Sequence, residues 1–148
     1  MPSGMSAWRI AYKGSRLTLG LITLLILFSH LLMFLAYVAF TAAGGGFAWL
    51  TAALALIHLS AACILIVMGA AVMAGRYELA KVLALTVLVM DIATIAPVII
   101  RMIFLSLSSR WLGMAGGLGA PIIAFILVYF MEDLEAASKA APQPPRTL

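Results

Sequence analysis

The chain has 148 residues, of which 66% are hydrophobic and 9% charged, with a formal net charge of +4 and a mean hydropathy of +1.20. Soluble domains are roughly half apolar and a quarter charged, so this composition excludes an ordinary soluble domain and points to a polytopic membrane protein. The positive charge gives no reason to expect a nucleic-acid partner; it reads as a topology signal and a contact with anionic lipid headgroups.

Residues 1–16 hold Arg9, Lys13 and Arg16 beside Trp8 and Tyr12, the mixture of aromatic and basic groups that anchors a segment at a membrane surface. A first apolar run follows over residues 17–41. It imitates a secretory signal, but a signal's apolar region is usually ~7 to 15 residues, so an uncleaved span is expected. Within it Thr23, His30 and Tyr37 recur every seven residues, with Met33 and Thr41 near the same line. That face should point into a helix bundle. Leu19, Leu24, Leu27 and Leu31 are left as lipid-facing candidates.

An uncharged connection, Ala42, Ala43, Gly44, Gly45, Gly46 and Phe47, leads to a second apolar run over residues 48–73. There Thr51, Ala55, His58, Ala62 and Gly69 share a face, small residues around one histidine, which permits close helix approach. Ile64 and Val67 fall on the lipid side. His30 and His58 are equally far from Gly44, so a tight turn between antiparallel helices puts both imidazoles at one depth. Cys63, the one cysteine, lies in this run, which rules out an internal disulfide and any cysteine-based zinc pattern.

The third run, residues 79–101, carries Asp91, the acidic residue deepest in any span. An ionised aspartate there costs roughly 2.5 to 3.5 kcal/mol, so it should be protonated, paired or near water. Arg101 is about 15 Å of helical rise away and is read as an interfacial anchor. Reflecting Asp91 through the Arg76 to Glu78 connection puts it near the level of Cys63, about 7 Å from that of His58, so His30 or His58 is its expected partner. Pro97 should kink this helix, and residues 102–112 read equally as its extension or as an interfacial segment.

In the fourth run, residues 113–131, Gly113 and Gly117 form a small-xxx-small pair for packing against another helix or another subunit. Residues 132–148 form a polar tail, helical at first and extended after Pro142. Inside lipid each backbone group must be satisfied within its own segment, so the fold expected is all-α: an antiparallel bundle of four transmembrane helices with short loops. Arginines and lysines gather at the N-terminus, at the second connection and in the tail. Both termini are therefore expected in the cytoplasm, with the chain in the plasma or inner membrane.

Three functional readings follow. In the first, the chain is a structural or accessory subunit of a membrane complex, or a homo-oligomer, with His30, His58, Asp91, Tyr37 and Thr23 as a buried polar network. In the second, His30 and His58 are the axial ligands of a b-type haem. In the third, the histidines and Asp91 are stations on a proton or ion pathway, or ligate a metal ion together. No phosphate-binding glycine loop, nucleophile elbow or paired carboxylate is present, so no enzymatic activity is expected.

Overall fold

A computed structural model describes the backbone of residues 4–44, 48–105 and 111–140 and the side chains of residues 7–44, 48–95 and 119–140. The described chain is all helix: α1 (Gly4–Ala42), α2 (Ala48–Met73), α3 (Tyr77–Leu105) and α4 (Trp111–Ala140). Two of these, α1 and α2, are long and apolar enough to cross a membrane. The expected N-terminal surface segment is continuous with α1: no proline interrupts residues 4–42, so the helix runs through Tyr12 and the basic residues.

Each helix packs against two others, in the ring order α1, α2, α3, α4, leaving α1 and α3 on one diagonal. Contacts Thr41 to Thr51, His30 to His58 and Arg16 to Met73 descend α1 while climbing α2, so the pair is antiparallel. The Lys81 to Glu132 contact belongs to the α3 and α4 pair. Between α2 and α3 the turn is closed by the Gly75 amide on the Val72 carbonyl at 3.1 Å and the Arg76 amide on Ala71 at 2.9 Å. Gly75 sits there at φ 70°, a left-handed conformation that ends helices readily only without a side chain.

The core is a column of Leu19 and Ile26 from α1, Leu65 and Met68 from α2, Ala84 and Val87 from α3, and Val128 and Met131 from α4. Its inward stripe on α1 passes through Leu19, Thr23, Ile26 and His30 at helical spacing. Leu19, expected on the lipid side, is therefore core; its angle on the helix, four residues before Thr23, overrides its residue type. Outward faces are strongly apolar, with Leu21, Leu24, Leu25, Phe28 and Leu32 exposed along α1 alone.

Ala62 is buried as expected, but a methyl group added at Gly69 would meet nothing within 4 Å. The inward face of α2 passes through Met68 and Val72, which turns Gly69 to the side, so the close approach expected there is not made. Gly113, Gly117, Pro97 and Arg101 carry expectations about surroundings that lie outside the described side chains. Helix α3 nevertheless continues past Pro97 to Leu105, and α4 starts at Trp111, with Pro121 inside it.

Leu65→Ala should lower stability by about 2 to 5 kcal/mol through cavity formation. Gly69→Ala should be neutral or stabilising by up to about 1 kcal/mol, because it adds helix propensity without a clash. Thermal unfolding in detergent, followed by far-ultraviolet circular dichroism, checks both.

Candidate functional site

The sequence symmetry around Gly44 becomes a direct contact: His30 Nδ1 and His58 Nδ1 are 2.9 Å apart, with ring centroids at 5.2 Å. One Nδ1–H donates to the bare Nδ1 of the other ring. On the far side of His30, Asp91 Oδ1 reaches across the α1 and α3 diagonal to 3.4 Å from Nε2. All three residues are more than nine-tenths buried. The ring of Tyr37 stacks on His58 at 5.5 Å and 9° between planes, covering the pair from the α1 side. Four of the five residues expected to form a polar network, His30, His58, Asp91 and Tyr37, are thus brought together by three helices.

Thr23 is buried as well, but seven residues from His30 it stands about 10 Å down the helix and is not part of the cluster. The Arg101 side chain lies outside the described residues. Among the described residues no group of three or more His, Cys, Asp or Glu side chains is placed to hold a metal ion. Among the described side chains, the cluster that holds Leu19, Ile26, Leu65, Met68, Val87 and Val128 lies on the basic side of the histidines.

The two Nδ1 atoms are too close to flank an iron atom. Imidazole nitrogens on opposite faces of one metal stand about 4 Å apart, twice a metal–nitrogen bond of about 2.0 Å, and these are at 2.9 Å. The arrangement is chemically suited instead to hydrogen bonding and proton exchange between rings. His30 Nε2 is the notable atom: among the described residues it is a buried side-chain nitrogen without a hydrogen bond. Its distance from Asp91 exceeds the usual N–H···O range of about 2.7 to 3.2 Å.

A second polar cluster, not foreseen from the sequence, closes the basic end. Tyr12 and Tyr77 meet hydroxyl to hydroxyl at 3.1 Å across the same diagonal, and Glu135 of α4 faces the Tyr77 phenol. Arg16 donates to the Met73 carbonyl at 3.4 Å, and Lys81 bridges Glu78 at 2.6 Å and Glu132 at 3.1 Å. Lys139 beside Glu135 holds that carboxyl below its ordinary range, with the Tyr77 phenol adding to the effect. The available signal was the spacing of Glu135 and Lys139, four residues apart on a helix face, together with Tyr77 directly after the turn.

Comparison with known proteins gives no match to a family model, to a curated protein or to a solved structure.

Because the Glu135 carboxyl titrates lower in the folded chain than its ordinary 4.5, its contribution is fully present above that pH and is lost as pH falls through the folded value. The melting temperature should therefore decline on acidification below the ordinary carboxylate range, and Glu135→Gln should flatten that part of the profile. Its partner Lys139 is largely exposed, so the expected effect is a few degrees at most. A melting series from neutral to acid pH on both proteins makes the comparison.

Proposed function

We propose that the chain is a small multi-pass membrane protein of four antiparallel spans, a structural or accessory subunit of a membrane complex whose His30, His58 and Asp91 cluster locks three helices in register. The observation that carries this reading is the convergence of those three buried polar side chains, one from each of α1, α2 and α3, inside a bundle with apolar outward faces. In such a setting a polar side chain is stable only against another, so the cluster specifies which faces meet.

Helix lengths support the membrane placement. Helix α1, 39 residues, is about 58 Å long, well beyond a hydrocarbon core of about 30 Å. The excess is its basic, tyrosine-bearing start, which packs beside the polar end of α4, so one end of the bundle stands clear of the apolar layer. Arg9, Lys13, Arg16, Arg76, Lys81 and Lys139 all lie toward that end, and the α1 to α2 connection at the other end is uncharged. The cytoplasm is assigned to the basic end, which places both termini there.

A haem held by these two Nδ1 atoms would require them to move apart, and no observation favours it over the direct contact. Membrane placement is tested by thiol labelling in intact cells, with cysteine introduced singly into a Cys63→Ser background. Ala43→Cys should react with an impermeant reagent from outside and Glu78→Cys only after permeabilisation, while native Cys63 should react from neither side. Labelling of positions 43 and 78 from the same side would overturn the topology.

The scaffold role predicts that His58→Gln, which retains hydrogen-bonding capacity, keeps assembly and melting temperature close to the parent. His58→Leu, which strands His30 Nδ1, should cost about 1 to 3 kcal/mol. Equal loss from both substitutions would point to an imidazole-specific role.

A further inference from the structure

A neutral imidazole carries one N–H and one bare nitrogen. The 2.9 Å contact between the Nδ1 atoms therefore couples the two rings. If His30 donates from Nδ1, its Nε2 is bare, and His58, accepting at Nδ1, holds its own proton on Nε2. If His58 donates, both assignments reverse. Asp91 selects between them, because it faces His30 Nε2. A bare Nε2 calls for a protonated carboxyl that donates to it, and an Nε2–H calls for a carboxylate that accepts. Closing the present 3.4 Å by about half an ångström brings either bond to ordinary length.

We propose that Asp91, His30 and His58 form a proton relay that transfers one proton from the Asp91 carboxyl to the outer side of His58. This goes beyond the scaffold reading but uses the same site. In the loaded state Asp91 carries its proton, His30 is protonated on Nδ1 and His58 on Nε2. The Asp91 proton passes to His30 Nε2, the His30 Nδ1 proton passes to His58 Nδ1, and the His58 Nε2 proton leaves to water. Three protons become two, one is released, and Asp91 is left as a carboxylate hydrogen-bonded by His30. No group is oxidised or reduced, and uptake of one proton from water at His58 Nε2, followed by the same two shifts in reverse, restores the start.

Little else competes for the proton. On α1 the neighbouring titratable group is Tyr37, stacked on His58. Helix α2 adds Cys63, which is exposed. By sequence, α3 has no further titratable or charged residue between Lys81 and Arg101, and α4 has none between Trp111 and Tyr129. From His30 to Tyr12 the chain rises about 27 Å along α1, and the packed core fills that interval. The relay is thus a station serving groups at its own depth, not a wire from end to end.

The chain contains two histidines, so selective 15N-histidine labelling yields four ring nitrogens and no others. Nitrogen NMR of the full-length protein in detergent micelles, followed through the Asp91 titration, tests the relay. Two of the four nitrogens should be protonated at each end, and the set should exchange completely: His30 Nδ1 and His58 Nε2 at low pH, His30 Nε2 and His58 Nδ1 at high pH. Infrared spectroscopy of 13C-aspartate protein carrying Asp133→Asn, which leaves Asp91 as the one labelled side-chain carboxyl, should show a protonated carboxyl band that disappears over the same pH interval. Asp91→Asn, checked for native helicity, should abolish the pH-linked exchange, and Tyr37→Phe should retain it. Three protonated nitrogens throughout, meaning a static ion pair, would overturn the relay. So would a His58 tautomer that does not change, or an exchange that survives in Asp91→Asn. The readout does not depend on how many helices cross a bilayer, so its failure is separable from failure of the topology experiment.

Discussion

Among the described side chains, the contact between His30 and His58 sets how α1, α2 and α3 meet at the depth of the histidines. A polar side chain in an apolar interior costs roughly 1 to 3 kcal/mol if it is left without a partner. Two such side chains at one depth on neighbouring helices remove much of that cost by meeting. The contact at 2.9 Å fixes the rotation of α1 against α2 as well as their register, since neither helix can turn without separating the rings. Once both are set, the outer nitrogen of His30 points across the bundle, and Asp91 on α3 lies opposite it. Three helices are thereby oriented by a chain of short-range demands, each created by the residue before it.

The apolar core and the two polar layers do different work. Leu65, Met68, Val87, Val128 and Met131 are almost fully enclosed, and each contributes through close packing. The Tyr12, Tyr77 and Glu135 cluster at the basic end contains ion pairs with one exposed partner each, and pairs open to solvent contribute about 0 to 1 kcal/mol each. Its importance lies in geometry: Tyr77 sits at the start of α3, immediately after the turn held by Gly75, and bonds the hydroxyl of a residue from the opposite corner of the bundle. Among the described side chains the α1 and α3 diagonal thus carries two polar cross-braces, one at the histidines and one at the basic end.

Much of this was legible because helices impose a strict relation between sequence distance and depth. Equal spacing of His30 and His58 from Gly44 was enough to predict that they lie at one depth, and the same reckoning through the second connection brought Asp91 within reach of them. Angle was legible for the polar residues, whose burial leaves little choice. It was not legible for leucines and glycines, which fit either environment: Leu19 went to the core and Gly69 to the side of its helix. The basic-end cluster escaped because its members come from the start of α1, the start of α3 and the end of α4. No local pattern links them, and they meet only once four helices are packed.

One distance separates the chemistries that two facing histidines can offer. At about 4 Å between nitrogens, on either side of a metal, the lone pairs of both rings serve as ligands and neither of those nitrogens carries a proton. At 2.9 Å one nitrogen must hold a proton for the other to accept, and the pair becomes a unit with two tautomeric states of equal composition. Which state is lower is set by whatever faces the outer nitrogens. On the His30 side that is a single carboxyl, itself without another charged partner among the described residues. The same three side chains can therefore hold the helices together in both states while differing in where the proton lies, so a scaffold and a proton station are compatible uses of one contact.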